Sequence, residues 1–92
     1  MYFDGEIIYI PNRVLRSKRI SPGAFRVYGV LLSTASEFGW TFVEAGHVAA
    51  ILGDPVPKIE LWLRQLKRAG FISIPNPGTA IRIREHQPAP GW

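Results

Sequence analysis

The stretch GDPVPKIELWLRQLKRAG constrains the fold most, because it determines where one helix begins and ends. Asp54 is a suitable N-cap, Pro55 fits the first helical position, and Pro57 still falls within the first turn. Gly70 can adopt the left-handed conformation that closes a helix. The pattern therefore predicts a helix over residues 55–69.

Another helix is predicted just before it, in TFVEAGHVAAIL. Thr41 and Glu44 have the spacing of a capping box, in which each side chain bonds the other residue's backbone N–H. Gly53 provides the stop, so the helix should run from about Phe42 to Leu52. Two helices joined by so few residues form a helix-turn-helix unit.

A helix is also predicted earlier in the chain, in SPGAFRVYGVLLSTAS, and it is the first of the three in sequence order. Ser21 is a natural N-cap and Pro22 fits the first helical position. The apolar residues cover a broad arc opposite a thin stripe of Arg26, Gly29 and Ser33. An arc this wide indicates a central core helix that packs on more than one side.

The end of the sequence predicts a β-hairpin, because FISI and AIRIRE flank the turn-forming segment PNPGT. In AIRIRE, Ile81 and Ile83 share one face. Arg82 and Arg84 share the other. GWTF is predicted as one further short strand, EIIYI as a strand near the start, and PNRVLRS as a short helix or turn.

Ninety-two residues, 47% of them hydrophobic, are enough for one domain with a core. We predict a mainly α protein with a small β-hairpin, in the α+β class. Residues 1–9 should form an arm or short strand, residues 10–85 the domain, and residues 86–92 a flexible tail.

The net charge of +4 is unevenly distributed, since no lysine or arginine occurs between Val27 and Pro57. Excess positive charge favours a nucleic-acid partner, although many small proteins are mildly basic for solubility. Two groups of cations flank the gap. One comprises Arg13, Arg16, Lys18, Arg19 and Arg26, and the other Lys58, Arg64, Lys67, Arg68, Arg82 and Arg84.

Little in the sequence favours catalysis. Cysteine is absent, and His47 and His86 have no neighbours at metal-ligand spacing. No nucleophile motif, phosphate-binding glycine loop or membrane span is present. We therefore expect a cytoplasmic protein that is not an enzyme, with no cofactor, no metal and no small-molecule substrate.

The segment HVAAILGDPVPKIELWLRQLKRAGFISI resembles the winged helix-turn-helix family. It has a small residue after an aliphatic one (Val48–Ala49), a closing glycine, and a last helix ending L-x-x-x-G-[L/F]-I (Leu66 to Ile72). The preceding IPNRVLRSKRISPGAFRVYGVLLSTAS is similar to the opening of winged helices in phage and plasmid replication proteins and bacterial regulators. The resemblance covers roughly residues 10–85.

The resemblance implies a three-helix core plus a wing, a role in transcription or replication control, and double-stranded DNA as the partner. The third helix, residues 55–69, would lie in the major groove, and the hairpin would touch the backbone or minor groove. Two departures stand out. Leu61 occupies a place where such families often carry a polar or basic residue, and the wing tip PNPG has no cation.

Opposite the apolar stripe of Ile59, Leu63 and Leu66, the third helix carries a polar side. Arginine can bridge guanine, glutamine can bridge adenine, and Leu61 can meet a thymine methyl. The competing interpretation pairs Arg64 with Glu60 along the helix. The candidate DNA-binding residues are Lys58, Leu61, Arg64, Gln65, Arg68, Arg82 and Arg84.

Other cations and the aromatic residues have two interpretations each. Arg82 and Arg84 would either contact phosphates along the DNA backbone or form the solvent-exposed side of an edge strand. The cations before the first long helix would hold the DNA backbone or lie in a solvated loop. Trp40, Trp62 and Phe71 are expected in the core rather than as base-stacking platforms.

Three further hypotheses remain open. A lone module buries only about 600–1,000 Å² of its surface on DNA, so specificity favours a homodimer. The exposed position of Leu61 also suits a winged helix used as a protein-interaction module, such as a phage-type inhibitor or assembly factor. Finally, PAPGW would suit the start of a linker to a further domain.

Overall fold

A computed structural model of the chain describes residues 10–36, 39–75 and 80–84. The described residues form four helices and three short strands, which confirms the α+β class. The helices are α1 (Asn12–Leu15), α2 (Pro22–Thr34), α3 (Ala45–Leu52) and α4 (Val56–Arg68). The strands are β1 (Trp40–Thr41), β2 (Ile72–Ser73) and β3 (Ile81–Ile83).

Several predictions concern segments that the structure does not describe. These are the arm at 1–9 with most of the strand EIIYI, the centre of the hairpin turn at 76–79, and the tail at 86–92, which includes His86.

Helix α2 begins as its sequence predicts. The Ser21 hydroxyl oxygen accepts a hydrogen bond from the backbone N–H of Ala24 at 3.2 Å, and Pro22 is the first helical residue. Gly29, predicted on the polar side, is buried, because the neighbouring elements surround α2 more completely than its polar stripe indicated. This helix supplies much of the core, as expected.

The predicted capping box at the start of α3 is wrong. Thr41 belongs to β1, where it pairs with Ile81, and its hydroxyl lies 2.8 Å from that of Thr34. The helix starts only at Ala45, and its N-cap residue Glu44 makes no side-chain capping bond. Strand pairing with a residue forty positions away therefore overrides the local capping signal.

The predicted Asp54 cap of α4 is also wrong, although the helix lies within one residue of its predicted bounds. Pro55 is the N-cap residue, and no side chain caps the helix. The Asp54 carboxylate instead lies 3.6 Å from the Arg26 guanidinium on α2. The predicted stops are confirmed, since Gly53 and Gly70 both have positive φ, 73° and 85°.

The strands form one antiparallel sheet in the order β1-β3-β2. The predicted hairpin is confirmed, and β1 adds a third strand on the other side of β3. Ile81 and Ile83 are buried, whereas Arg82 is exposed, as the alternation predicted. The interpretation of Arg82 and Arg84 as guards of an edge strand is wrong, because β3 is the central strand.

The core lies between the helices and the inner face of this sheet. Tyr28 of α2 meets Phe71 edge-on, with ring centroids 6.4 Å apart, and Trp62 packs against the core from α4. The helix side chains that are at most 1% exposed are Val14, Ala24, Val27, Tyr28, Val30, Leu31, Val48, Ile59 and Leu66. This packing holds α4 in place and leaves one side of it in solvent.

Candidate nucleic-acid interface

Helix α4 presents a mixed polar and apolar face to solvent. Its inner side is anchored by Ile59 and Leu66, which are fully buried. Residues half a turn away, by the helical period of about 100° per residue, point outward. The exposed side chains of this outer row are Pro57, Lys58, Leu61, Arg64 and Arg68. Four of the seven candidate residues therefore lie together on one solvent-facing surface.

Arg64 is available for a partner. Among the described residues no carboxylate lies within 4.0 Å of its guanidinium, so the Glu60–Arg64 ion pair is not formed. The same holds for Lys58 and Arg68 within the described ranges. Unpaired cations on a helix can bond phosphates or base edges without first breaking an ion pair.

Gln65, a fifth candidate, lies at the edge of this row and faces α2. Its amide oxygen accepts hydrogen bonds from the backbone N–H and the hydroxyl of Ser21, at 3.0 and 2.9 Å. Bidentate reading of adenine needs the amide oxygen as well as the NH₂ group. The structure therefore gives Gln65 a positioning role, fixing α4 against the N-terminus of α2.

Arg19, one of the cations before α2, reaches the C-terminal end of α4. The Arg19 guanidinium donates a hydrogen bond to the backbone carbonyl of Arg68 at 3.3 Å, which satisfies one free carbonyl of the helix end. Lys18, the neighbouring residue, is exposed. One member of each cation group, Arg19 and Arg68, thus lies at this end of α4.

Arg82 and Arg84 belong to a different surface, the sheet and its end. The Arg82 guanidinium stacks over the Trp40 ring, 5.3 Å from its centroid, and Trp40 is half-buried beneath it. Arg84 is exposed just after β3, where its backbone N–H donates a hydrogen bond to the backbone carbonyl of Phe71. These two candidates therefore do not belong to the α4 row.

A groove of about 610 Å³ lies beside α4. Its apolar lining comes from the segment entering α3, from α4 and from the hairpin: Val43, Ala45, Leu63, Ile74 and Ile81. Glu44, Glu60, Arg64 and Lys67 form its charged rim. Sequence patterns did not reveal this groove, because its walls come from segments far apart in the chain, and Phe42 and Val43 were assigned to a helix.

The described part of the chain contains no cluster of three histidine, aspartate or glutamate side chains suited to a metal ion. No helix in that part is long and apolar enough to cross a membrane.

Comparison with protein-family models, with curated proteins and with solved structures gives no match. The contacts of α4 are therefore the main basis for assigning a function.

Proposed function

We propose that the chain is a winged helix-turn-helix protein that binds double-stranded DNA, with α4 in the major groove. The element order supports this, since a closely spaced α3–α4 pair packs with α2 and is followed by a hairpin. A major groove about 12 Å wide accepts an α-helix. The resemblance of residues 10–85 to winged helix-turn-helix domains implies a regulatory role in transcription or replication.

The observation that carries the proposal is the exposed row on α4 whose cations have no carboxylate partner among the described residues. Lys58 and Arg68 stand near its two ends and suit phosphate contacts. Arg64 stands in the middle and suits a guanine edge, with Leu61 one turn away to meet a thymine methyl. Gln65 holds the helix at a fixed angle through Ser21 rather than reading a base.

Titration of the protein into labelled random-sequence duplex DNA, at several salt concentrations, tests the proposal by fluorescence anisotropy. We expect the logarithm of the binding constant to fall linearly with the logarithm of salt concentration, by about 0.9 per phosphate neutralised. Absence of binding at low salt would refute DNA as the partner.

We expect Arg64→Ala to weaken binding to a selected site by about 1–3 kcal/mol, because it removes a base contact. Arg16→Ala removes the same charge from an exposed arginine of the other cation group, outside the α4 row, and measures the loss that charge or a backbone contact alone produces. An equal loss in both variants would show that only net charge matters and would contradict a reading role for Arg64.

A protein-interaction module is the second candidate function, and the exposure of Leu61 favours it. Leu61 is 42% exposed in the middle of the α4 row, where an apolar side chain suits a protein partner. Leu61→Asp should abolish such a contact. If that variant loses a protein partner while Arg64→Ala leaves every interaction intact, this second function replaces DNA binding.

A further inference from the structure

Phe42 is unusually exposed for a large apolar side chain. It stands between the buried Thr41 and the half-buried Val43, yet 75% of its surface is open to solvent. Nothing in the core depends on a phenyl ring at this position. Aromatic side chains, phenylalanine among them, are enriched in the cores of protein–protein interfaces.

The groove beside α4 begins at the next residue along the chain. Val43 belongs to the lining of the groove. The volume of the groove, about 610 Å³, exceeds what a phenyl ring requires. Leu63, Ile74 and Ile81 offer the ring an apolar surface. An exposed aromatic side chain thus stands next in sequence to a residue that lines an apolar groove.

The charges on the groove rim complement one another. Two acids, Glu44 and Glu60, and two bases, Arg64 and Lys67, make the rim neutral although the chain carries +4. None of the four is ion-paired with another described residue. Glu60 and Lys67 lie about two turns apart on the same line of α4. Two such helices placed antiparallel would bring each glutamate opposite the other's lysine.

We infer that a second copy of this chain occupies the groove. In a two-fold dimer the same patch serves on both sides, so each projection must meet the partner's cavity and each charge its opposite. Phe42 of each protomer enters the groove of the other, and Glu60 faces the partner's Lys67. A partner of uniform charge would meet repulsion from half of the rim.

The dimer extends the proposed function without depending on it. The outer row at Lys58, Leu61 and Arg68 lies on the solvent side of α4, away from Leu63 in the groove. These three side chains therefore lie outside the proposed contact between the two copies. Arg64 lies at the boundary of the two surfaces.

Sedimentation velocity over a wide range of protein concentration tests the inference. We expect the wild-type chain to shift from monomer to dimer, and Phe42→Ser to raise the dissociation constant roughly 10- to 100-fold. Leu15→Ser is the matched control, because Leu15 on α1 is 58% exposed and lies outside the groove. It should dimerise like the wild type. Circular dichroism checks that both variants are folded.

A charge exchange provides the second measurement. Glu60→Lys and Lys67→Glu should each weaken the dimer, and the double variant should restore it, because the pairs re-form across the two-fold axis. A wild-type chain that stays monomeric at all concentrations would overturn the inference. So would a Phe42→Ser variant that dimerises normally, or a double variant that does not recover. Duplex binding of monomeric Phe42→Ser, measured by anisotropy, separates failure of the dimer from failure of DNA binding.

Discussion

At the scale of single residues, Gly23 and Trp62 show how closely α2 and α4 approach. A Cβ atom on Gly23 would overlap the Trp62 ring, so only glycine lets the indole lie against the start of α2. This contact adds to the Gln65–Ser21 bonds, which join the same two helices nearby. Together they determine the angle at which α4 is presented.

We expect Gly23→Ala to lower the free energy of unfolding by about 1–3 kcal/mol, the usual cost of overpacking. Urea denaturation measures it. Gly46→Ala is the control, since a Cβ there meets nothing within 4 Å and alanine favours the helix by about 0.5–1 kcal/mol. Similar effects of both changes would contradict the close approach of Trp62.

Gln65→Ala should also destabilise the fold, by about 1–3 kcal/mol, because two donors of Ser21 lose their acceptor. Gln65→Glu keeps an acceptor oxygen at the same place and should retain most of the stability. Thermal unfolding of both variants checks this. If the alanine variant is as stable as the wild type but binds a selected DNA site less well, Gln65 reads a base after all.

At the scale of elements, the connection between α3 and α4 is held from both ends. Gly53 reverses the chain in the left-handed conformation, and Arg26 of α2 bonds the Leu52 carbonyl at 3.4 Å and lies near Asp54. The Arg26 side chain is 55% exposed and lies 3.6 Å from the Asp54 carboxylate, so solvent screens the pair and its net contribution is small. The backbone conformation at Gly53 is therefore the stronger determinant of this connection.

We expect Gly53→Ala to lower the free energy of unfolding by about 1–2 kcal/mol from backbone strain alone, because no atom lies within 4 Å of the added Cβ. Gly53→Asn should lose less, since asparagine tolerates positive φ. Guanidinium denaturation of the two variants measures the difference. An alanine variant as stable as wild type would show that the connection adopts another conformation.

At the scale of the whole molecule, sequence patterns predicted the features that short-range chemistry determines. Ser21, Gly53 and Gly70 act on the backbone within a few residues, so the helix limits they set were correct. Thr41 and Asp54 were also predicted to cap helices from their local sequence. Thr41 instead pairs with Ile81 in the sheet, and Asp54 lies beside Arg26. Contacts with segments distant in sequence therefore account for both wrongly predicted N-caps.

The same limit applies to the candidate site. Periodicity placed Lys58, Leu61, Arg64 and Arg68 on the exposed side of α4, because amphipathicity is a local property. It could not reveal that Gln65 bonds Ser21, 44 positions away, or that Arg19 reaches Arg68, 49 positions away. Local periodicity also could not reveal the groove, because its walls come from three segments that are far apart in the chain.

The strand order has a consequence for how the chain assembles during synthesis. β3 is the last described strand in the sequence, yet it lies between β1 and β2 and is the partner of both. Among the described strands, β1 and β2 each pair with β3 alone. We therefore expect the sheet to form only after residues 81–83 have been made, because the pairing of residue 40 with residue 82 depends on them.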